Sequence, residues 1–320
     1  MVDRARADVS ALSVKLGRIL GASHVTNVRR LSGGASRETW AFTADGEHFI
    51  LQRARAGAPG GLRSEPTVLT AARRAGAPVA ELIVDGSGSE ELERPFMIVR
   101  AVEGETIPRK ILRDDSHSTA RASLVGQLAS AAARIHSIPP ASVPSLTHDD
   151  QLDQFSRILF DSGEPHPVFE AAIRWLSTHR PMADRVTVVH GDFRLGNVVV
   201  DANGLSAVLD WELSHLGDPM EDLGWLCVRA WRFGGALPVA GLGTREELCD
   251  AYRRASGETP DLDAIRWWEV MGTLKWGIIC IMQAQTHLRG IARSHELAAI
   301  GRRVCENEYD LIDLLEELIQ

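Results

Sequence analysis

Three side chains in one short stretch could share a cation and a proton. They are Asp192, Asn197 and Asp210, in VTVVHGDFRLGNVVVDANGLSAVLDWE, residues 186–212. Carboxylates and an amide carbonyl are hard oxygen donors. Mg2+ prefers such oxygens, taking one or two carboxylates and completing its octahedron with water and substrate phosphates. A further carboxylate beside the cation can take the proton of an attacking hydroxyl. Each residue alone has a plainer reading, Asp192 and Asn197 as turn formers and Asp210 as a strand end. Their joint placement is what points to chemistry.

That placement depends on a hairpin. Val186–Val189 is an apolar β-branched run that delivers His190, Gly191 and Asp192 at its end. Val198–Val200 and Leu205–Leu209 are two further runs, and Asn203-Gly204 between them is a strong signal for a two-residue turn. A turn centred there opposes Ala202 with Leu205, Val200 with Ala207 and Val198 with Leu209. One step further Asn197 opposes Asp210, with Cβ atoms about 4.5–5.5 Å apart. Asp192 lies on the loop just before, so two carboxylates and an amide converge on one mouth.

The pattern HGDxxxxNVVV…VLDWE resembles the catalytic segment of the aminoglycoside phosphotransferase and choline kinase families, relatives of the protein kinases. The resemblance implies a small-molecule kinase that uses ATP and Mg2+ to phosphorylate a hydroxyl. It makes Asp192 the catalytic base and Asn197 and Asp210 the metal ligands, with His190 supporting the loop. The next segment, SHLGDPMEDLGWL, is also similar to the family, which often carries GDPxxDL there. Asp218-Pro219 can start a helix holding Asp222; these two aspartates either brace the catalytic loop or line the acceptor site. Glu212, just beyond Asp210, is a further candidate for substrate contact. SGGASRETW and WELSHLGDPMEDLGWL look like a broad branch of such proteins, some of whose domains occur beside acyl-CoA dehydrogenases.

The elements that must position these groups divide the chain in two. Val9–Leu20 patterns as an amphipathic helix, Thr39–Thr43 and Glu47–Arg53 as strands joined at Asp45-Gly46, and Pro95–Ala101 as a buried strand. Ser64 can cap a helix running to Ala75. Gly33, Gly34 and Ser36, in LSGGASRETW, let backbone N–H groups approach phosphates. A kinase-like lobe also presents a strand lysine to the phosphates, held by a helix glutamate. Glu65 is a candidate for the glutamate. The lysine is missing: the chain has only Lys15, Lys110 and Lys275, and the strand reads FILQR. Gln52 or Arg53 must stand in its place, and strand alternation lets only one of them face the cleft. Phe96–Glu103 is the expected hinge, taking adenine through backbone groups.

After residue 102 the period becomes helical, at Ala120–His136, Asp150–Phe160, Val168–His179, Met220–Trp231, Thr244–Ser256, Asp263–Leu288 and His295–Ile319, interrupted by the strands of Val186–Trp211. The expected class is α+β, with a small strand-rich nucleotide lobe over 1–102 and a large helical catalytic lobe over 103–320. On the acceptor side, Trp268 of the long helix could stack on a sugar or a cation, although aromatic stripes in such helices more often form core.

The 320 residues are 44% hydrophobic and 24% charged with a net charge of −8, which argues against a nucleic acid or an anionic membrane as partner. The four cysteines are widely spaced and read as reduced thiols. No apolar run resembles a signal peptide or a membrane span, so a cytoplasmic protein is expected. Its acceptor and oligomeric state are not written in the sequence. The absent strand lysine motivates one rival reading, a nucleotide-binding kinase-like module without catalysis. A second is a metal-dependent hydrolase built on the same carboxylates.

Overall fold

The computed structural model of the chain describes residues 2–31, 37–55, 62, 64–183 and 185–319. Gly33, Gly34 and Ser36 therefore lie outside the described residues. Helix α1 (Val2–Leu20) precedes an antiparallel sheet ordered β1-β2-β3-β5-β4, built from Val25–Arg30, Arg37–Ala44, Glu47–Ala54, Phe96–Arg100 and Leu82–Gly86. The β2–β3 turn sits at Asp45-Gly46 as expected, both residues having positive φ (47° and 89°), which is what a tight hairpin of this twist demands.

Alternation gives the sheet two different faces. Phe42, Phe49, Leu51, Phe96 and Ile98 pack against Leu12 and Leu16 of α1. Met97 and Val99 face the other way and join Val68, Leu69 and Ala72 of α2 (Glu65–Arg74) in a core that continues into the helical part. Ser64 precedes α2 without a side-chain cap bond; a proline stands in the first turn instead.

The helical part holds α3 (Pro108–Arg113), α4 (Ser118–His136), α5 (Gln151–Ser162), α6 (Pro167–Thr178), α7 (Met220–Cys227), α8 (Arg245–Ser256), α9 (Leu262–Leu288), α10 (His295–Gly301) and α11 (Val304–Ile319). The expected helix His295–Ile319 is thus two, and Met220–Trp231 ends early in a 3-10 turn at Arg229–Arg232. A second core gathers Phe155, Phe169, Leu274, Ile278 and Leu311 from α5, α6, α9 and α11. The α+β class and the two-lobed plan are as expected. No described helix is long and apolar enough to cross a membrane.

Four short strands carry the expected chemistry. β6 (Thr187–Val189) pairs with β9 (His215–Gly217), and β7 (Val198–Asp201) with β8 (Gly204–Val208). The hairpin register differs from the expected one: Asp201 opposes Gly204, Val200 opposes Leu205, Val199 opposes Ala207 and Val198 opposes Val208. The turn is therefore Ala202-Asn203. Side chains explain the shift. Asp201 Oδ1 accepts from Asn203 N (2.7 Å) and Gly204 N (3.1 Å), an Asx turn that competes with the Asn-Gly one. Gln127 of α4 clasps the same turn, accepting from Leu205 N and donating to Asn203 O. A bulge after Val199 absorbs one residue. At the site end Asn197 O accepts from Leu209 N at 2.8 Å, so Asn197 opposes Leu209 and not Asp210.

Candidate active site

The loop between β6 and β7 is held from its buried side. Asp222, one turn into α7, accepts His190 N (2.7 Å) and Gly191 N (2.9 Å) on its two oxygens. His136 Nε2 lies 3.1 Å from Asp222 Oδ2, and His136 Nδ1 lies 2.9 Å from the Tyr252 hydroxyl. Burial alone would raise the Asp222 carboxyl. The bond and charge of His136, with help from His190, overcome it and leave the group below the usual carboxylate range. Asp222 therefore braces the loop, the first of the two roles open to it from sequence.

His190 is fully buried. Its Nε2 donates to Leu209 O (3.0 Å) and its Nδ1 accepts from Asp192 N (3.2 Å), which defines a neutral ring. Burial depresses its pKa, in keeping with that tautomer. Gly191 has φ +78°, and a Cβ there would sit 2.4 Å from Leu213 O, so only glycine fits. Beneath it Lys275 Nζ lies 3.3 Å from both Gly191 O and Glu221 Oε1, and Glu221 Oε2 meets His215 Nε2 at 3.0 Å.

Donors surround Asp192 at the open side. Arg194 Nε (2.9 Å) and Trp225 Nε1 (2.8 Å) reach Oδ1, while Asn197 Nδ2 donates to Oδ2 (2.6 Å) and to the backbone O (3.0 Å). Both Asn197 bonds come from nitrogen, which leaves its Oδ1 for a cation. Asp210, two residues after β8, takes a left-handed conformation (φ +64°) within electrostatic reach of Asp192 and 3.8 Å from Arg37. Partial removal from water (the side chain keeps 43% of its surface exposed), then the neighbouring Glu212, push its carboxyl up to about 6 against the pull of Arg37. A carboxylate so short of positive partners suits a cation site. The described residues offer no cluster of three or more His, Cys, Asp or Glu for a metal. One carboxylate and one amide fit Mg2+, which draws its remaining ligands from phosphates and water.

The residue that sequence reasoning missed is Arg37, the first residue of β2. It is buried, with Nη1 2.7 Å from Glu65 Oε1 and 3.2 Å from Gln52 Oε1, and Nη2 2.9 Å from Glu212 Oε2 and 3.8 Å from Asp210 Oδ1. Gln52 shares this face of the sheet. Arg53 does not: it turns to the α1 side and pairs with Glu38 at 2.6 Å, which corrects its assignment to the cleft. Glu65 does hold a cation, and burial is what raises its own pKa.

Trp268 Nε1 donates to Asp218 Oδ2 (3.0 Å), and both line a pocket with His215 and Glu221. Asp218 also accepts Met220 N at 2.9 Å. The tryptophan that touches Asp192 is Trp225. The stripe of α9 gave no means of choosing, because that helix is buried on nearly every side. Beyond Arg194, whose guanidinium lies over Trp231 at 4.5 Å, a groove of about 970 Å³ opens between α3 and α11. Arg109, Arg113, Arg229 and Arg303 line it against Glu306 and Asp310, so the chain's net acidity does not describe the field there.

Comparison with known proteins agrees with this geometry. The sequence model of a phosphotransferase enzyme family matches residues 27–268. Acyl-CoA dehydrogenase family member 10 of Mus musculus is 28% identical over 250 residues, 72% of this chain and 23% of its own length. Acyl-CoA dehydrogenase family member 11 of Gallus gallus is 25% identical over 319 residues, 89% and 40% respectively. The chain thus spans well under half the length of these relatives. Among solved structures, a putative aminoglycoside phosphotransferase from Ralstonia eutropha superposes with TM-score 0.76 at 20% identity, covering 96% of this chain and 98% of that one. The GDP complex of an aminoglycoside 2'-phosphotransferase-IIIa does so with TM-score 0.66 at 15% identity, covering 96% and 98%. At such identities the likeness shows the fold, the two-lobed protein-kinase-like one.

Proposed function

Because the chain belongs to the phosphotransferase enzyme family, we propose that it transfers the γ-phosphoryl group of ATP to a hydroxyl of a small molecule with the help of Mg2+. The observation that supports this reading is the 2.6 Å contact of Asn197 with Asp192, with Asp210 within electrostatic reach of Asp192. In this reading Asp192 accepts the proton of the acceptor hydroxyl. Trp225, Arg194 and Asn197 fix its two oxygens, so the carboxylate is aimed before the substrate arrives. Asn197 Oδ1 and Asp210 would hold Mg2+, which when bound neutralises charge on the phosphates. The backbone of 96–103, where the lobes meet, would take the base of the nucleotide. The acceptor would approach from the Trp225–Arg194 side, opposite Asp210. Cytoplasmic residence is part of the same proposal.

The test is a phosphotransfer screen across small alcohols, sugars and amino alcohols, following ADP release with wild type and with Asp192→Ala. Acceptor-dependent release in wild type alone supports the reading. Release that needs no acceptor would favour a hydrolase.

A further inference from the structure

We propose that Arg37 is the phosphate-contacting cation of this chain, in the role of the lysine that its third strand lacks. The proposal rests on the nucleotide-dependent reading above. None of the three lysines is available. Lys15 pairs with Glu93, Lys110 with Glu105, and Lys275 lies buried under Gly191. Residue 52, on the cleft face of β3, is a glutamine, and among the described residues the cation bonded to it is Arg37, whose Nη1 donates to it.

Arg37 follows directly on SGGAS, residues 32–36, the stretch read as the phosphate loop. It also makes the pairing expected of the missing lysine, to Glu65 of α2. A guanidinium presents five donors in a planar fork. The Nη1 edge is occupied by Glu65 and Gln52. The Nη2 edge points toward the mouth, 2.9 Å from Glu212 and 3.8 Å from Asp210. A phosphate held near Asp210 falls beside that edge, and a planar fork suits phosphate better than a point charge does. Three carboxylates, Glu65, Glu212 and Asp210, surround this one guanidinium, so the arrangement is more than a simple ion pair closing on itself. The plainer alternative is a strut that ties β2 to the segment after β8 and has no contact with nucleotide.

Calorimetric titration of Mg-ATP and of adenosine separates the two. Arg37→Met is expected to weaken Mg-ATP about ten- to hundredfold, the range for a lost charge-assisted hydrogen bond, while adenosine affinity stays within about twofold by the same scale. A strut would instead weaken both ligands alike, or neither, and either result overturns the proposal. The double variant Arg37→Gln with Gln52→Lys restores the ordinary lysine on the same sheet face. It should recover most of the Mg-ATP affinity, and it carries the test if Arg37→Met does not fold. Failure to recover, in a double variant that binds adenosine normally, counts against the proposal. Wild type that binds no Mg-ATP would instead overturn the nucleotide reading itself.

Discussion

The catalytic loop has a buried side and an open side, and their carboxylates are treated in opposite ways. Asp222 receives two backbone N–H groups and a histidine and lies below the usual carboxylate range despite full burial. Asp210 has, among the described residues, a distant share of Arg37 beside Glu212, and is pushed up to about 6. A carboxylate that builds the fold is given donors until its charge is stable. A carboxylate kept for a ligand is left short of them, and the chain alone bears the cost.

Removing Asp192 should give the largest loss of turnover. Asp192→Asn is expected to lower phosphotransfer by about 10²–10⁴-fold, the usual share of a general base, with Mg-nucleotide affinity nearly unchanged, while its new NH2 group, facing a donor, lowers stability by about 1–3 kcal/mol. Unaltered turnover would remove the open side from the chemistry. Asp222→Ala should act the other way, costing about 3–5 kcal/mol of stability in urea unfolding, as when one member of a buried charged network is deleted. A variant as stable as wild type would show that the buried side is not a brace.

Lys275→Met tests the same side more gently. It removes the contact with Gly191 O and one partner of Glu221, and about 1–3 kcal/mol should be lost, the scale for an orphaned buried group. The smallest effect on stability is expected at Asp210, whose side chain is 43% exposed. Asp210→Asn should stabilise the ligand-free chain at pH 7 by about 1 kcal/mol or less, after allowance for solvent screening. The pH dependence fixes the sign. A folded pKa of about 6 lies above the unfolded value of about 3.9, so this residue's contribution to stability is present below about pH 4 and lost as pH rises to 6. The melting temperature of wild type relative to Asp210→Asn should therefore fall between pH 4 and 6 and stay low above it. Asp222, with its lowered pKa, contributes above the ordinary carboxylate range, and that stability is lost as acid titrates it. A difference between wild type and Asp210→Asn that is flat from pH 4 to 7 would contradict the contrast.

Much of this was legible in the sequence, and the failures have physical causes. The β-branched runs, Asp45-Gly46 and HGDxxxxN located the sheet, its hairpin and the loop because local pattern and local structure agree there. Asn203-Gly204 misled because register is a contest. Asp201 and Gln127 compete for the same turn, and Gln127 comes from a helix that sequence spacing does not connect to the hairpin. The expected opposition of Asn197 and Asp210 is lost to a bulge after Val199 and to the left-handed conformation of Asp210, which no alternation rule foresees. β1 could be given no bounds from sequence because VTNVRR alternates imperfectly, and its pairing shifts between Thr26 and Arg29. Arg37 was not legible because it stands on the strand beside the one that should carry the lysine: residues 37 and 52 are neighbours across β2 and β3. Trp225 and Trp268 could be told apart only by what their indole nitrogens reach.

The most direct measurement is calorimetric titration of ATP into the wild-type chain and Asp210→Asn, each with Mg2+ and with EDTA. Wild type should bind ATP at least about tenfold more tightly with Mg2+, on the scale of one charge-assisted contact, and Asp210→Asn should lose that dependence. Equal ATP affinity in Mg2+ and in EDTA, or a Mg2+ dependence undiminished in Asp210→Asn, would contradict that expectation.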